Sequence, residues 1–355
     1  MKSEDWLAMK EILSRIAIGP VGSRDLSREG AKEAMRLAIA GEVSATQSGA
    51  FLLAARLKRE TTEENLGFLD ALVDASHRVD ITKPELVNLA DPYNGFTRVP
   101  HFAAPTAAVL AACGLPAYIH GGEDVPPKDG VTARQVFEAR GQGLGIGDGE
   151  ASVEAAAKRL DERGVAYVDV ADYCPALHSI NEVRHDIAKR PCLSLLEKLI
   201  TPIRGAESTH LVTGWVHEGY QHEICTLARD QGFASTTLVK GREGHVDPAV
   251  HKDTLVLGYD HRGSDTELML RPKSYGLLLS DSPDYGDITP ENIAELWDVA
   301  LHRKRRFLPG QTVRLLAGTI LTQSGKASTV MRGVGMAHAV ITSGEARERL
   351  AAFTP

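Results

Sequence analysis

The sequence predicts an α/β protein in which a small amino-terminal helical bundle precedes a large domain built on a central, mostly parallel sheet. Three observations carry that prediction. The first eighty residues show helical periodicity only. From about Pro84, short β-rich runs alternate with helical segments, the order that gives parallel strands with helices on both faces. A strand-free stretch, INEVRHDIAKRPCLSLLEKLITP at 180–202, interrupts that alternation and is placed to rejoin the bundle. The expected division is therefore a helical domain at 1–80, joined by a segment at about 176–203, and an α/β domain at 84–172 and 205–355.

Each element has its own signal. Trp6, Met9, Leu13 and Ile16 recur at the spacing of an amphipathic helix. Ala31, Ala34, Met35 and Ala38 share one face of a second, which Gly41 stops. Ser44 with Gln47, and Thr61 with Glu64, form capping-box patterns that open a third and a fourth. Four such helices with short connections make a small bundle. The predicted strands are ELVNLA, AYIHGG, AYVDVAD, THLVTGW, STTLVKG and TLVLGY, with helices at 103–113, 131–140, 151–164 and 218–232 between them. The tail from Pro290 is helical.

Bulk properties exclude several classes. The 355 residues, 43% hydrophobic and 25% charged, suit a globular protein of one large or two ordinary domains. No apolar run approaches the ~20 residues that a membrane crossing needs. The start, MKSEDWLAMKEIL, mixes charge with apolar residues and lacks the pattern of a secretory signal. Cys113, Cys174, Cys192 and Cys225 stand far apart, which predicts reduced thiols and a cytoplasmic setting rather than disulfides or zinc. A net charge of −7 argues against coating nucleic acid non-specifically.

Several motifs bear on chemistry. GQGLGIGDG at 141–149 has glycines but no GxGxxG register and follows a helix, so a connector between helices is expected. ADPYNG at 90–95 ends the first β-rich run, where open α/β sheets bind ligands; Tyr93, Asn94 and Gly95 are candidates. YIHGG ends the second, offering His120 with Gly121 and Gly122. Arg184 and Arg190 are either forks for a phosphate or carboxylate, or partners of nearby acids. Glu243 and Asp247 are the candidate ligands if magnesium binds, with plain solvation as the alternative. HRKRRF at 302–307, with Arg303, Lys304, Arg305 and Arg306, is a solvated helix face or a phosphate-contacting patch, to which Lys58 and Arg59 would add.

In order along the chain, these pieces resemble the anthranilate phosphoribosyltransferase superfamily. The likeness lies in LSREGAKEAMRLAIAGEVSATQSGAFLLAARLKRETTEENLGFLDAL, AAVLAACGLPAYIHGG, VRHDIAKRPCLSLLEKLITP and ITSGEARERL, and so spans essentially the whole chain. It implies a helical domain hinged to an α/β domain, a homodimer, and transfer of ribose 5-phosphate from phosphoribosyl pyrophosphate, with magnesium, to an aromatic amine. A phosphorylated or aromatic small molecule is then the expected ligand.

The departures from the family pattern fall on its phosphate motifs. Where the family has Gly-Thr-Gly-Gly-Asp, this chain has Asp91, Pro92, Tyr93, Asn94 and Gly95; Pro92 removes a backbone donor and Asp91 adds negative charge. The family's Asn-x-Ser-Thr falls on His101, Phe102, Ala103 and Ala104. The lysine of Lys-His-Gly-Asn is Ile119, and a serine pair is Pro126 and Pro127. Its Asp-Glu falls on His245 and Val246, and NxLGPLxNP has become SLLEKLITP. Such a pattern implies a degenerate donor site with ordinary anthranilate activity weak or absent. It is most similar to the YbiB-type branch, which implies, as the alternative, a non-catalytic nucleic-acid-binding homodimer.

Overall fold

The computed structural model describes residues 3–19, 21–123, 125–277, 283–302 and 308–354. Four helices open the chain: α1 (Glu4–Ile16), α2 (Arg28–Ile39), α3 (Ala45–Lys58) and α4 (Thr62–Asp74). Each begins where a Ser or Thr side chain accepts a hydrogen bond from a first-turn N–H, satisfying a donor that the helix itself leaves orphaned. The box at Thr61 and Glu64 is complete. At Ser44 it is half formed, because the Gln47 amide turns away and donates to the Trp6 carbonyl at 3.2 Å. Helices α2 and α4 cross at Gly67, where a Cβ would lie 2.1 Å from the Arg28 carbonyl oxygen; only glycine permits that approach.

Among the described residues, nine strands follow, separated by short helices. β1 (Val79–Asp80) and β5 (Ile203–Arg204) pair in parallel as a two-stranded strap. The main sheet holds β2 (Glu85–Ala90), β3 (Ala117–Gly121), β4 (Val165–Asp169), β6 (Ser208–Gly214), β7 (Ser235–Val239), β8 (Thr254–Tyr259) and β9 (Asp265–Leu270). Its order is β4-β3-β2-β6-β7-β8-β9. The first five run parallel, and β8 and β9 are antiparallel additions at one edge. This is the predicted helical bundle plus α/β domain. Sequence reading missed β9, DTELML, because only alternate residues of this edge strand are shielded, leaving too few apolar positions to stand out.

The two faces of β2 feed different cores, as the two-residue period of a strand requires. Leu86 and Ala90 join the core that runs into the bundle. Val87 and Leu89 join the core beneath α5 (Ala103–Ala112), together with Trp297 and Leu316 of the carboxyl-terminal helices and Phe353 just beyond the last of them. After α6 (Ala133–Ala139), α7 (Glu150–Arg163) and two short helices, α8 (Val170–Tyr173) and α9 (Pro175–Ser179), the strand-free stretch forms α10 (Asn181–Ile187) and α11 (Leu193–Leu196). It returns to the bundle: the face of α3 at Gly49 meets Val183 and Ile187. The remaining helices are α12 (Tyr220–Asp230), α13 (Pro290–Ala300), α14 (Leu308–Gln323), α15 (Val330–Ser343) and α16 (Glu345–Ala351). No described helix is long and apolar enough to cross a membrane.

Candidate functional site

A cleft of about 250 Å³ opens where the bundle, the return segment and the carboxyl ends of the parallel strands meet. Arg56 and Asn65 line it from the bundle, Pro92 and Asn94 from the turn after β2, Arg190 and Lys198 from the return segment, and Trp215 from the end of β6. A wider cavity of about 720 Å³, near Arg98, Arg242 and Tyr285, draws nothing from the bundle. A third, of about 260 Å³, lies at the opposite edge of the sheet among Lys83, Arg163 and Arg349. Of these three, only the first unites all parts of the fold at the strand ends where α/β proteins bind ligands.

The cleft mixes cationic, acidic and aromatic character, with Glu60, Glu197 and Glu243 lining it beside Arg56, Arg190 and Lys198. Arg56 donates to the Arg190 carbonyl, tying bundle to return segment, and the Arg190 side chain is exposed at the rim. Trp215 is 3% exposed, and its indole N–H has no partner among the described residues. The Lys240 ammonium lies 4.7 Å from the centre of that ring. Lys198 is buried and donates to the Gly214 carbonyl at 3.0 Å. Burial draws its pKa down to about 8, against the pull of Glu197 and Asp91.

The turn at 91–95 is knitted into the protein rather than held open. Gly95 has φ +65°, and a Cβ there would lie 2.2 Å from the Gly130 carbonyl oxygen. The Gly130 N–H donates to the Asn94 carbonyl at 3.0 Å, and Lys128 donates to the Gly95 carbonyl at 2.6 Å. Backbone crosses backbone here, so the glycine answers to packing. Asp91 is buried; its Oδ1 accepts from the Val246 N–H at 3.0 Å, and its other oxygen has no partner among the described residues. Desolvation pushes this carboxyl up to about 7.

Behind the turn, rings fill the space. Tyr93, Phe96, His101 and His120 surround a void of about 20 Å³, room for roughly one water molecule. The Tyr93 hydroxyl donates to the Glu197 carbonyl at 3.1 Å and contacts the Tyr173 hydroxyl and His120 Nδ1. Burial lowers the His120 imidazole to about 3, so the ring is neutral, and its Nε2 has no partner among the described residues. His101 sits between Phe96, tilted by 34°, and Trp297, edge-on at 82°, ring centres 5.2 and 5.7 Å away, and is likewise held neutral by burial.

The other predicted residues separate. Gly121 ends β3 opposite Asp169, and Gly122 leaves room for Val170, whose Cγ1 would be 2.7 Å from an added Cβ. Arg184 is 1% exposed and spends its charge on Glu197 at 2.8 Å. Of the two predicted arginines, only Arg190 lines the cleft. Lys58 is held between Asp25 and Glu64 at 2.6 and 2.7 Å, whereas Arg59 is exposed. Arg303, Lys304, Arg305 and Arg306 lie outside the described residues.

Glu243 and Asp247 are each engaged by other groups of the protein. The Glu243 carboxylate meets Lys128 at 2.8 Å and accepts from the Arg98 N–H at 2.9 Å; these partners overcome its burial and hold its pKa down at about 2. The Asp247 carboxyl accepts from the Phe102 N–H at 2.9 Å, and desolvation, reinforced by Asp91, keeps it well above the usual carboxylate range. The Glu243 oxygens are occupied by Lys128, Thr97 and Arg98, whereas one Asp247 oxygen has no partner among the described residues. Among the described residues no group of three or more His, Cys, Asp or Glu is arranged to hold a metal.

Sequence reading missed Lys198 and Trp215. The only signal for the lysine was its departure from the glycine and proline of the family pattern. Trp215 carried none, because an aromatic at a strand end is ordinarily core.

The architecture is that of a helical bundle joined to an α/β domain, with a cleft between them. The chain belongs to the glycosyl transferase family: residues 102–347 match its a/b domain and residues 10–76 its helical bundle domain. It is 28% identical over 326 residues to an anthranilate phosphoribosyltransferase of Deinococcus radiodurans, covering 92% of this chain and 93% of that one. To an uncharacterized protein of Aquifex aeolicus it is 27% identical over 319 residues, covering 88% and 92%. In fold it matches the anthranilate phosphoribosyltransferase of Thermus thermophilus, with a TM-score of 0.79, 22% identity and 98% of each chain covered. The Saccharomyces cerevisiae enzyme, solved in complex with PRPP and Mg, matches with a TM-score of 0.76 and 16% identity over 99% of this chain and 98% of that one.

Proposed function

We propose that this is an anthranilate phosphoribosyltransferase-like protein whose cleft binds an anionic aromatic or phosphorylated small molecule. Ordinary anthranilate phosphoribosyl transfer is weak or absent. The turn at 91–95 carries the reading. A diphosphate needs bare amides and counter-charge, yet Pro92 has no N–H, Asp91 brings a carboxyl, and the space behind holds about 20 Å³. The cleft beside it keeps Arg190, Lys198 and the unpartnered Trp215 N–H, which suit a planar anion. Any transfer would proceed by displacement at a sugar anomeric carbon, helped by positioning and electrostatics rather than a covalent nucleophile. A homodimer in the cytoplasm is part of the same proposal.

Calorimetric titration with phosphoribosyl pyrophosphate and magnesium, beside a turnover assay with anthranilate, tests it. Expected are no saturable donor binding and a kcat/KM far below the ~10⁴ M⁻¹s⁻¹ floor of ordinary enzymes. Donor binding with turnover above that floor refutes the proposal. The nucleic-acid reading rests on the run Arg303–Arg306 in the sequence. Its mark would be affinity for single-stranded DNA that falls steeply between two salt concentrations.

A further inference from the structure

Lys198 stands apart from every other described lysine. It sits in the turn after α11, is 6% exposed and lines the cleft. Its one described hydrogen bond goes to a backbone carbonyl, that of Gly214. No carboxylate lies within ion-pair distance of it among the described residues; the neighbouring Glu197 is committed to Arg184. Glu197 and the buried Asp91 favour the ammonium, but desolvation outweighs both, so the neutral amine with its free lone pair gains. Desolvated lysines of this kind are the ones that act as nucleophiles toward carbonyl compounds. In the same cavity Arg190 offers a guanidinium at the rim, a group that holds a phosphate or carboxylate by two parallel hydrogen bonds.

We propose that Lys198 is a reactive amine and that the cleft captures an anionic aldehyde as an imine, its charge held by Arg190. This rests on the cleft being the ligand site, as proposed above. In the step, the amine lone pair attacks the carbonyl carbon and the carbonyl oxygen takes up a proton, giving a carbinolamine. Loss of water then forms the C=N bond, both amine hydrogens leaving with the carbonyl oxygen. Amine and aldehyde give imine and water, with no other reactant.

The test uses the full chain with pyridoxal 5′-phosphate as probe, borohydride reduction, intact mass and peptide mapping. Expected is a single adduct on the peptide bearing Lys198, forming faster as pH rises through about 8. R190Q should slow it by ~10-fold or more, the scale of one lost charge-assisted contact. K198R should abolish it. If K198R does not fold, the peptide map of the unaltered chain still decides. Label on exposed lysines such as Lys158, 77% exposed, with Lys198 unmodified, overturns the proposal, as does labelling of Lys198 indifferent to pH and to R190Q. Benzoate quenching of Trp215 fluorescence separates the two claims. Quenching without adduct sinks the imine alone, and absence of both sinks the cleft as a ligand site.

Discussion

Replacing Glu243 by Gln removes one charge from the latch that holds the 97–98 backbone and Lys128 against the turn after β7. The carboxyl is held at about 2 against an ordinary 4.5. In linkage terms such a shift is worth up to ~3 kcal/mol above the unfolded pKa. The Glu243 side chain is 2% exposed but its partner Arg98 is 63% exposed, so solvent screening of that partner brings the expected cost of E243Q to ~1.5–2 kcal/mol at pH 7. The sign follows from the depressed pKa: the stabilisation is fully present above 4.5 and is lost as pH falls toward 2. Urea unfolding followed by tryptophan fluorescence is the assay. At pH 7 the E243Q midpoint should drop by ~0.5 M, and the gap between the two proteins should shrink to roughly 40% of that by pH 3 and go on closing as pH falls to about 2. A gap of equal size at both pH values, or a cost under ~0.5 kcal/mol at pH 7, would show that the Lys128–Glu243 contact does not hold the latch.

The remaining predictions concern neighbouring groups. R184M strands the buried Glu197 carboxylate and should cost ~3–5 kcal/mol, whereas R184M with E197L should recover most of that in the same unfolding assay. G95A forces a side chain into the left-handed region and onto the Gly130 carbonyl; a loss of ~2–4 kcal/mol is expected in urea unfolding. D91N acts in the opposite sense. Because the Asp91 carboxyl is raised to about 7 from 3.8, ionising it costs stability as pH climbs through that interval. D91N should therefore raise Tm at pH 8 and leave it nearly unchanged at pH 4, and a Tm that falls at pH 8 would contradict the desolvation account.

Local patterns gave the sequence its authority over the elements. The Ser and Thr caps, the three-to-four spacing of Met9, Leu13 and Ile16, and the β-rich runs of β2, β3, β4, β6, β7 and β8 act within a few residues, so a linear reading finds them; the two-residue β1 and β5 leave no such run. The connector at 141–149 was likewise expected from its place between helices. Its purpose was not visible: the N–H groups of Gly147 and Gly149 close on the Asp172 carboxylate at 2.8–3.1 Å, a partner more than twenty residues away.

The sequence alone determined that a helical bundle precedes a mostly parallel sheet, and that the turn after β2 carries a proline and an acid, Pro92 and Asp91. Tertiary structure alone decided which charges remain for chemistry. Arg184 and Arg190 look equivalent on paper, yet Arg184 is neutralised by Glu197 inside the fold while Arg190 faces the cleft. Lys198 looked like any helix lysine until burial set its proton at risk. Spacing along a chain fixes which atoms share a helix face or strand face, but a group's charge depends on how much water and which partners it keeps, and those are brought by residues far away in sequence.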